Sequence, residues 1–266
     1  MVLIALITTV LVLSGCFGSS WIITLRSDGS GTIEMEYRID KEIIQMMQSM
    51  GGEGGEIPAG NEDFVDEEEL EGIAASLGEG VRFVSVTPKP DSDTSFGYTA
   101  VFEFDDINTL TVDPMAGAPG GGESEDDGTE TPFRFRFTPG RTAELVVLID
   151  QDEDTEEMAE DEAEMEMEAE GQDDETMTEM MKPYFESMSF LVQVNIDGEI
   201  RETNAHFRDG NSIILMDMDM GKIIDNDELF KQVMNSDDMS DEEMAVRLEE
   251  AGIRIESEEE VTVRFR

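Results

Sequence analysis

Three kinds of side chain carry what chemistry this sequence offers: a lone histidine, a large excess of carboxylates, and clustered methionines. His206, in "TNAHF", is the only histidine, and no serine stands in a nucleophile elbow or opposite a second imidazole. Nucleophilic catalysis needs a base beside its nucleophile, so no Ser/His or Cys/His site is expected, and His206 reads as a half-buried structural residue. With 65 acidic residues, chance alone supplies carboxylate pairs, so none can be singled out for acid–base work. "DQDEDTEEMAED", Asp150 to Asp161, places oxygen donors at EF-hand positions 1, 3, 5 and 7. Thr155 stands where such a loop turns on glycine, and Asp161 where it uses a bidentate Glu. Loose cation condensation is expected there instead of a calcium loop.

The 19 methionines include "MMQSM", "MEM" and "MDMDM". Thioethers are soft ligands that select Cu(I), and they also fill cores flexibly. Met47, Met50 and Met234 fit an apolar helical stripe. Met165 and Met167, inside the acidic run, fit packing least and are the candidate soft-metal ligands. No metal site or cofactor is assigned on that basis. A soft-metal or cation buffer is the alternative to the function reached below.

Cys16 is the only cysteine. From Met1 to Leu13 the chain is apolar apart from Thr8 and Thr9, the length of a signal-peptide hydrophobic region and too short to cross a bilayer core of about 30 Å. Leu13, Ser14, Gly15 and Cys16 resemble the bacterial lipobox, in which small residues let a peptidase approach the backbone and the cysteine becomes the acylated mature N-terminus. Leu13, Ser14 and Gly15 are then the cleavage residues, Cys16 is the lipid attachment site, and no thiol is left for catalysis or a disulfide. The competing expectation is a plain buried thiol on an anchor helix running on through Trp21 to Leu25.

Net charge is -48, from 17 basic and 65 acidic residues. Such a charge repels itself and destabilises the compact state unless salt screens it. The excess of acid, with Arg favoured over Lys, points to a high-salt setting. From Asp150 to Glu175, 16 of 26 residues are acidic, and no basic residue lies between Arg141 and Lys182. Nucleic acid is excluded as a partner, because binding it needs a basic patch.

The elements that must position these residues follow from alternation and turn signals. "WIITLRSDGSGTIEMEYRI" predicts a β-hairpin around Asp28-Gly29-Ser30-Gly31. "DKEIIQMMQSM" and the segment from Val65 to Leu77 predict helices, and "VRFVSVTP" and "SFGYTAVFEF" predict strands. "FRFRF" and "ELVVLI" predict a hairpin around Pro139-Gly140. The stretch beginning "FLVQVNIDGEI" predicts three strands with turns at Asp197-Gly198 and Asp209-Gly210. Helices from Lys222 to Met234 and Asp241 to Ala251, then strands "GIRI" and "VTVRFR", close the chain. The order hairpin, acid-capped helix, "GVRF" echoes late in the chain as "SDEEM" and "GIRI". The predicted class is α+β, an antiparallel sheet of hairpins with helices on one face, interrupted by acidic and Gly-rich segments. The expected divisions are a signal peptide at 1–15, an N-terminal α+β half at 16–113 and a flexible linker at 114–132. A hairpin at 133–150, an acidic insert at 151–182 and a C-terminal α+β half at 183–266 follow.

The lipobox followed by "DGSGT", and later "DGEIRETNA" followed by "DGNSIIL", resemble the LppM-like domain of bacterial envelope lipoproteins over about a third of the chain. The resemblance implies an extracytoplasmic α+β domain that interacts with lipid, and it supplies no catalytic residue. The expected protein is therefore non-enzymatic: a binding or structural module in the cell envelope, facing the periplasm or exterior. Its partners would be membrane lipid through Cys16 and an envelope protein or apolar ligand. Phe185, Phe190, Phe207 and Phe230, on the segments richest in apolar side chains, are the expected contact residues. The charge predicts that the thermal midpoint rises steeply from dilute buffer to molar salt. A dependence abolished by deleting 152–175 would confine the charge effect to the insert.

Overall fold

The computed structural model describes residues 17–42, 44–45, 60, 65–90, 92, 94–114, 133–149, 188–226, 229–230, 233 and 241–266. β1 (Phe17–Leu25) and β2 (Gly31–Asp40) form the expected hairpin, in register from Phe17 opposite Ile39 to Leu25 opposite Gly31. Phe17 to Leu25 is strand, so the alternative anchor helix through Trp21 does not form. The β-branched run Ile22, Ile23, Thr24 and the aromatic Trp21 favour the pleated conformation. In the turn, the Ser30 N–H and hydroxyl both donate to Asp28 Oδ1, at 3.1 and 2.7 Å. Gly29 takes φ of 92°, which a side chain would resist. Alternation buries Trp21, Ile23, Leu25, Ile33 and Met35 on one face. The Trp21 indole N–H, buried with its ring, donates to Ser19 Oγ at 2.8 Å.

β3 (Arg82–Pro88) and β4 (Ser95–Phe104) extend this sheet outward from β2. On the other side, β1 pairs in parallel with β8 (Met188–Ile196), from Phe17 opposite Met188 to Leu25 opposite Ile196. It is the one parallel pair among the described strands. β11 (Ser212–Asp219) runs antiparallel to β8 and carries β10 (Arg208–Asp209) and β12 (Arg254–Ile255). The completed sheet has eight strands in the order β10-β11-β8-β1-β2-β4-β3, with β12 also on β11.

A second, five-stranded sheet lies against it, in the order β5 (Thr111–Val112), β6 (Phe133–Thr138), β7 (Ala143–Ile149), β13 (Glu260–Phe265), β9 (Ile200–Thr203). The predicted β6–β7 hairpin forms. Asp197-Gly198, however, turns the chain from one sheet into the other, and β9 pairs with β13 instead of β8. The reason is local. The Asp197 N–H donates to Leu25 O at 2.9 Å, and Glu199 and Arg266 exchange backbone bonds of 2.8 and 3.2 Å. A Cβ at position 198 would stand 2.6 Å from Arg266 O, so only glycine lets the crossing strands approach this closely.

The inner faces of both sheets merge in one core. Phe135, Leu145, Val147, Val261, Val263 and Phe265 from the small sheet meet the Trp21 face of the large one. Helix α1 (Glu67–Leu77) adds Leu70, Ala74 and Leu77 and lies against β3 and β5. Asp66 caps it, accepting from the Glu68 N–H at 2.9 Å. The class is α+β as expected, with two facing sheets where one was anticipated. The helix predicted from Lys222 to Met234 is interrupted. Helix α2 (Met220–Ile224) ends at Asp225, and Asn226 Oδ1 accepts from the Leu229 N–H at 3.1 Å, capping a fresh helical start. The predicted segment 114–132 lies, beyond Pro114, outside the described residues.

Tyr37 and Tyr98 face each other across β2 and β4, ring centroids 5.5 Å apart and nearly parallel. Burial, reinforced by nearby Glu69, pushes both phenols well above the ordinary tyrosine range. A raised folded-state pKa stabilises below the unfolded value of about 10 and is lost as pH climbs above it. Stability should therefore fall above about pH 10, by about 1.4 kcal/mol per pH unit for each tyrosine. Urea titrations on either side of that pH check this, and Tyr98→Phe should remove one tyrosine's share of the slope.

Candidate functional site

Helix α3 (Asp241–Glu250) closes at Gly252, whose φ of 80° lets Gly252 and Ile253 N–H groups return to Glu249 and Leu248 carbonyls at 2.8 and 2.9 Å. This turn feeds directly into β12, so the helix is pinned beside the edge of the large sheet. Leu248, Ala251 and Ile253 pack with Ile223 and Leu229, while Val246 stays 53% and Ile255 37% exposed. Opposite them stands Phe207, whose carbonyl accepts from the Ile214 N–H at 3.0 Å. The space between is a half-open groove of about 570 Å³, lined chiefly by Phe207, Met244, Val246, Leu248, Ile253 and Ile255.

One buried carboxylate holds the groove together. Glu256 is 1% exposed. Its Oε2 accepts from the His206 N–H at 2.8 Å, and its Oε1 from the Ser257 and Glu258 N–H groups at 3.1 and 3.4 Å. Its own N–H donates to Leu215 O at 2.9 Å. A carboxylate this buried persists because backbone donors replace water around it. The result ties the 203–207 loop to the β12–β13 connection on one side of the groove. At the rim, His206 Nε2 lies 3.7 Å from Glu249 Oε2, and both side chains are more than half exposed. The imidazole also rests edge-on against Phe207, centroids 4.7 Å apart. Behind the groove, Arg254 pairs with Asp217.

This arrangement suits binding more than bond-making. The groove floor is aliphatic and aromatic, and its charged groups sit at the rim or are consumed by backbone donors. Among the described residues, no group of His, Cys, Asp and Glu is spaced to hold a metal ion. No helix of the described residues is long and apolar enough to cross a membrane.

Of the residues expected at a working surface, Phe207 lines the groove. Phe230 packs half-buried on the cluster of Ile223, Leu229 and Ile253 beside it. Phe190 is in a different place: it is 3% exposed, in a small cluster with Phe17, Ile39 and Phe96. It stands on the inward face of β8 in line with Val192 and Val194, so it cannot serve as a contact residue. His206, expected half-buried, has a ring more than half exposed, resting on Phe207, while its backbone N–H is held by Glu256. Phe185, Met165, Met167 and the lipobox residues Leu13, Ser14, Gly15 and Cys16 lie outside the described residues.

"MDMDM" is explained by strand alternation. Met216 and Met218 pack into the apolar clusters, while Asp217 pairs with Arg254 and Asp219 caps α2 by accepting from the Gly221 N–H at 3.1 Å. Val246, Met244 and Ile255 were not anticipated at a site. Their signal was present: Val246 is an apolar residue off the Met244–Leu248 stripe of an acidic helix, with no buried face to occupy.

Together these features define a two-sheet α+β protein with a mostly apolar groove at the edge of its larger sheet. Comparison with protein families, curated proteins and solved structures finds no match to the chain. Removing the Glu256 carboxylate strands three backbone donors, so Glu256→Ala should cost about 1–3 kcal/mol in a denaturant titration. Glu256→Gln, which keeps one acceptor oxygen, should lose less.

Proposed function

We propose that this chain is a lipid-anchored, non-enzymatic module of the cell envelope that binds a neutral acyl ligand in the groove between α3 and β12. The observation that carries the reading is the pair Val246 and Ile255, two exposed apolar side chains that both line the groove. Exposed apolar side chains converging on one concavity are the usual mark of an apolar binding site, and a volume of about 570 Å³ lies inside the range of about 300–1,000 Å³ typical of such sites. A neutral ligand is favoured over an anionic one. Glu249 stands at the rim and the chain carries -48 overall, so a carboxylate or phosphate head would be repelled. The lipobox at Leu13 to Cys16 supports the setting, since an acylated Cys16 one residue before β1 would hold the domain against a bilayer, where acyl ligands are at hand. The alternative, a Met-based soft-metal buffer, gains nothing from Met216 and Met218, which are committed to packing.

Two measurements test the parts separately. A fatty-acid probe should label the wild type and leave Cys16→Ser unlabelled; equal label on both ends the lipoprotein reading. Titration with a fluorescent monoacylglycerol should give saturable binding, weakened at least tenfold in Val246→Asp with Ile255→Asp. Those two positions are exposed, so the fold should survive. Unchanged binding in the double variant would place the ligand elsewhere.

A further inference from the structure

The polar side chains of the groove between α3 and β12 are gathered together, apart from its apolar lining. Glu256 is taken up by backbone donors, which leaves His206, Glu249 and Ser257. His206 and Ser257 stand near each other because the one Glu256 carboxylate accepts from both of their backbone N–H groups, at 2.8 and 3.1 Å. Glu249 joins them from the last turn of α3, with its Oε2 3.7 Å from His206 Nε2. That separation is too long for a direct hydrogen bond, yet one oxygen atom can lie about 2.8 Å from both. Among the described residues, none of the three side chains donates or accepts a hydrogen bond.

We propose that His206, Glu249 and Ser257 form a head-group subsite that selects acyl ligands with a hydroxylated head, such as a glycerol ester. The inference rests on the acyl-binding reading of the groove and adds what discriminates one acyl ligand from another. Hydrogen-bonding capacity selects the hydroxyl. A carboxylate only accepts, so Glu249 needs a donor, whereas the Ser257 hydroxyl and a neutral imidazole each offer a donor and an acceptor. A ligand hydroxyl both donates and accepts, and can bridge His206 Nε2 and Glu249 Oε2. A methyl ester offers acceptors alone; it strips water from Glu249 and returns no donor. A carboxylate or phosphate head meets the charge of Glu249. An ammonium head satisfies Glu249 but has no lone pair for Ser257 or the imidazole N–H. The tail has its own path, because Met244 lies about 7.5 Å back along α3 from Glu249, and Ala245, Val246 and Leu248 line the groove between them. His206 and Glu249 are 56% and 55% exposed, so the preference should be about tenfold, far below that of a fully buried polar site.

Competition against the fluorescent monoacylglycerol tests the proposal on the full chain at one fixed salt concentration. The competitors share one acyl chain and carry a glycerol ester, a methyl ester or a trimethylammonium head. The wild type should bind the glycerol ester about tenfold more tightly than either of the others. His206→Phe with Glu249→Leu should reduce the preference over the methyl ester to less than about threefold, while the methyl ester itself binds within about twofold of its wild-type affinity. Both positions are more than half exposed, and the fluorescence of buried Trp21 reports that the core is intact. Equal wild-type affinity for the two esters, with both weakened by Val246→Asp and Ile255→Asp, would overturn the head-group subsite and leave the groove reading standing. A preference that survives His206→Phe with Glu249→Leu would also overturn it, as would tighter binding of the trimethylammonium ligand. Binding that ignores the Val246→Asp and Ile255→Asp pair would overturn the groove reading, and this inference with it.

Discussion

The large sheet depends on the parallel pairing of Phe17–Leu25 with Met188–Ile196. Parallel strands cannot be joined by a tight turn, so this pairing closes a loop of well over a hundred residues before any bond in it forms. What compensates is burial, because Trp21, Ile23 and Leu25 meet Val192, Val194 and Ile196 side by side at the centre of the core. Once β1 and β8 are joined, β2 and β11 complete either flank, and Asp197 bonds to Leu25 O and sends the chain across to the small sheet. The groove inherits its position from the same pairing, since β12 and the 203–207 loop are both held on β11.

The acidic composition constrains what such a core can contain. Carboxylates on the described strands sit on outward positions, as Glu34 and Glu36 do on β2, and Asp105, just past β4, pairs with Arg82 at 2.8 Å. The Arg82 guanidinium beside Asp105 holds that carboxyl below its usual range. Glu256 is the one carboxylate among the described buried residues, and three backbone donors surround it. The described residues therefore place charge where water and salt reach it, with one exception among them, at the brace of the groove. Arginine is used as a bridge: Arg264 links Glu144 on β7 to Glu202 on β9 across the intervening strand.

Much of the local structure was legible because strand alternation has a period of two. "WIITL", "FRFRF", "LVVLI" and "VTVRF" each show it, and each is a strand with one buried face. Partner choice was not legible, since "NIDGEI" has the composition of a hairpin turn and only the approach of Arg266 makes it a crossing between sheets. Phe190 and Phe207 look alike in sequence, yet one stands on the inward side of β8 and the other beside the groove. Glu256 was hidden within "ESEEE", where nothing distinguishes a braced carboxylate from a solvated one. The division of the chain into N- and C-terminal halves describes its order, while the described strands of both halves share one sheet and one core.

If that shared core is the basis of the molecule, its strands should open together. Native-state hydrogen exchange of the slowest amides in β1, β2, β8 and β13 measures this directly, because subunits of a fold that open independently show separate free energies. The same opening free energy, equal to that of global unfolding, is expected in all four strands. Exchange of β1 and β2 as a unit distinct from β8 and β13 would contradict it, and would mean that two separately stable halves had been mistaken for one.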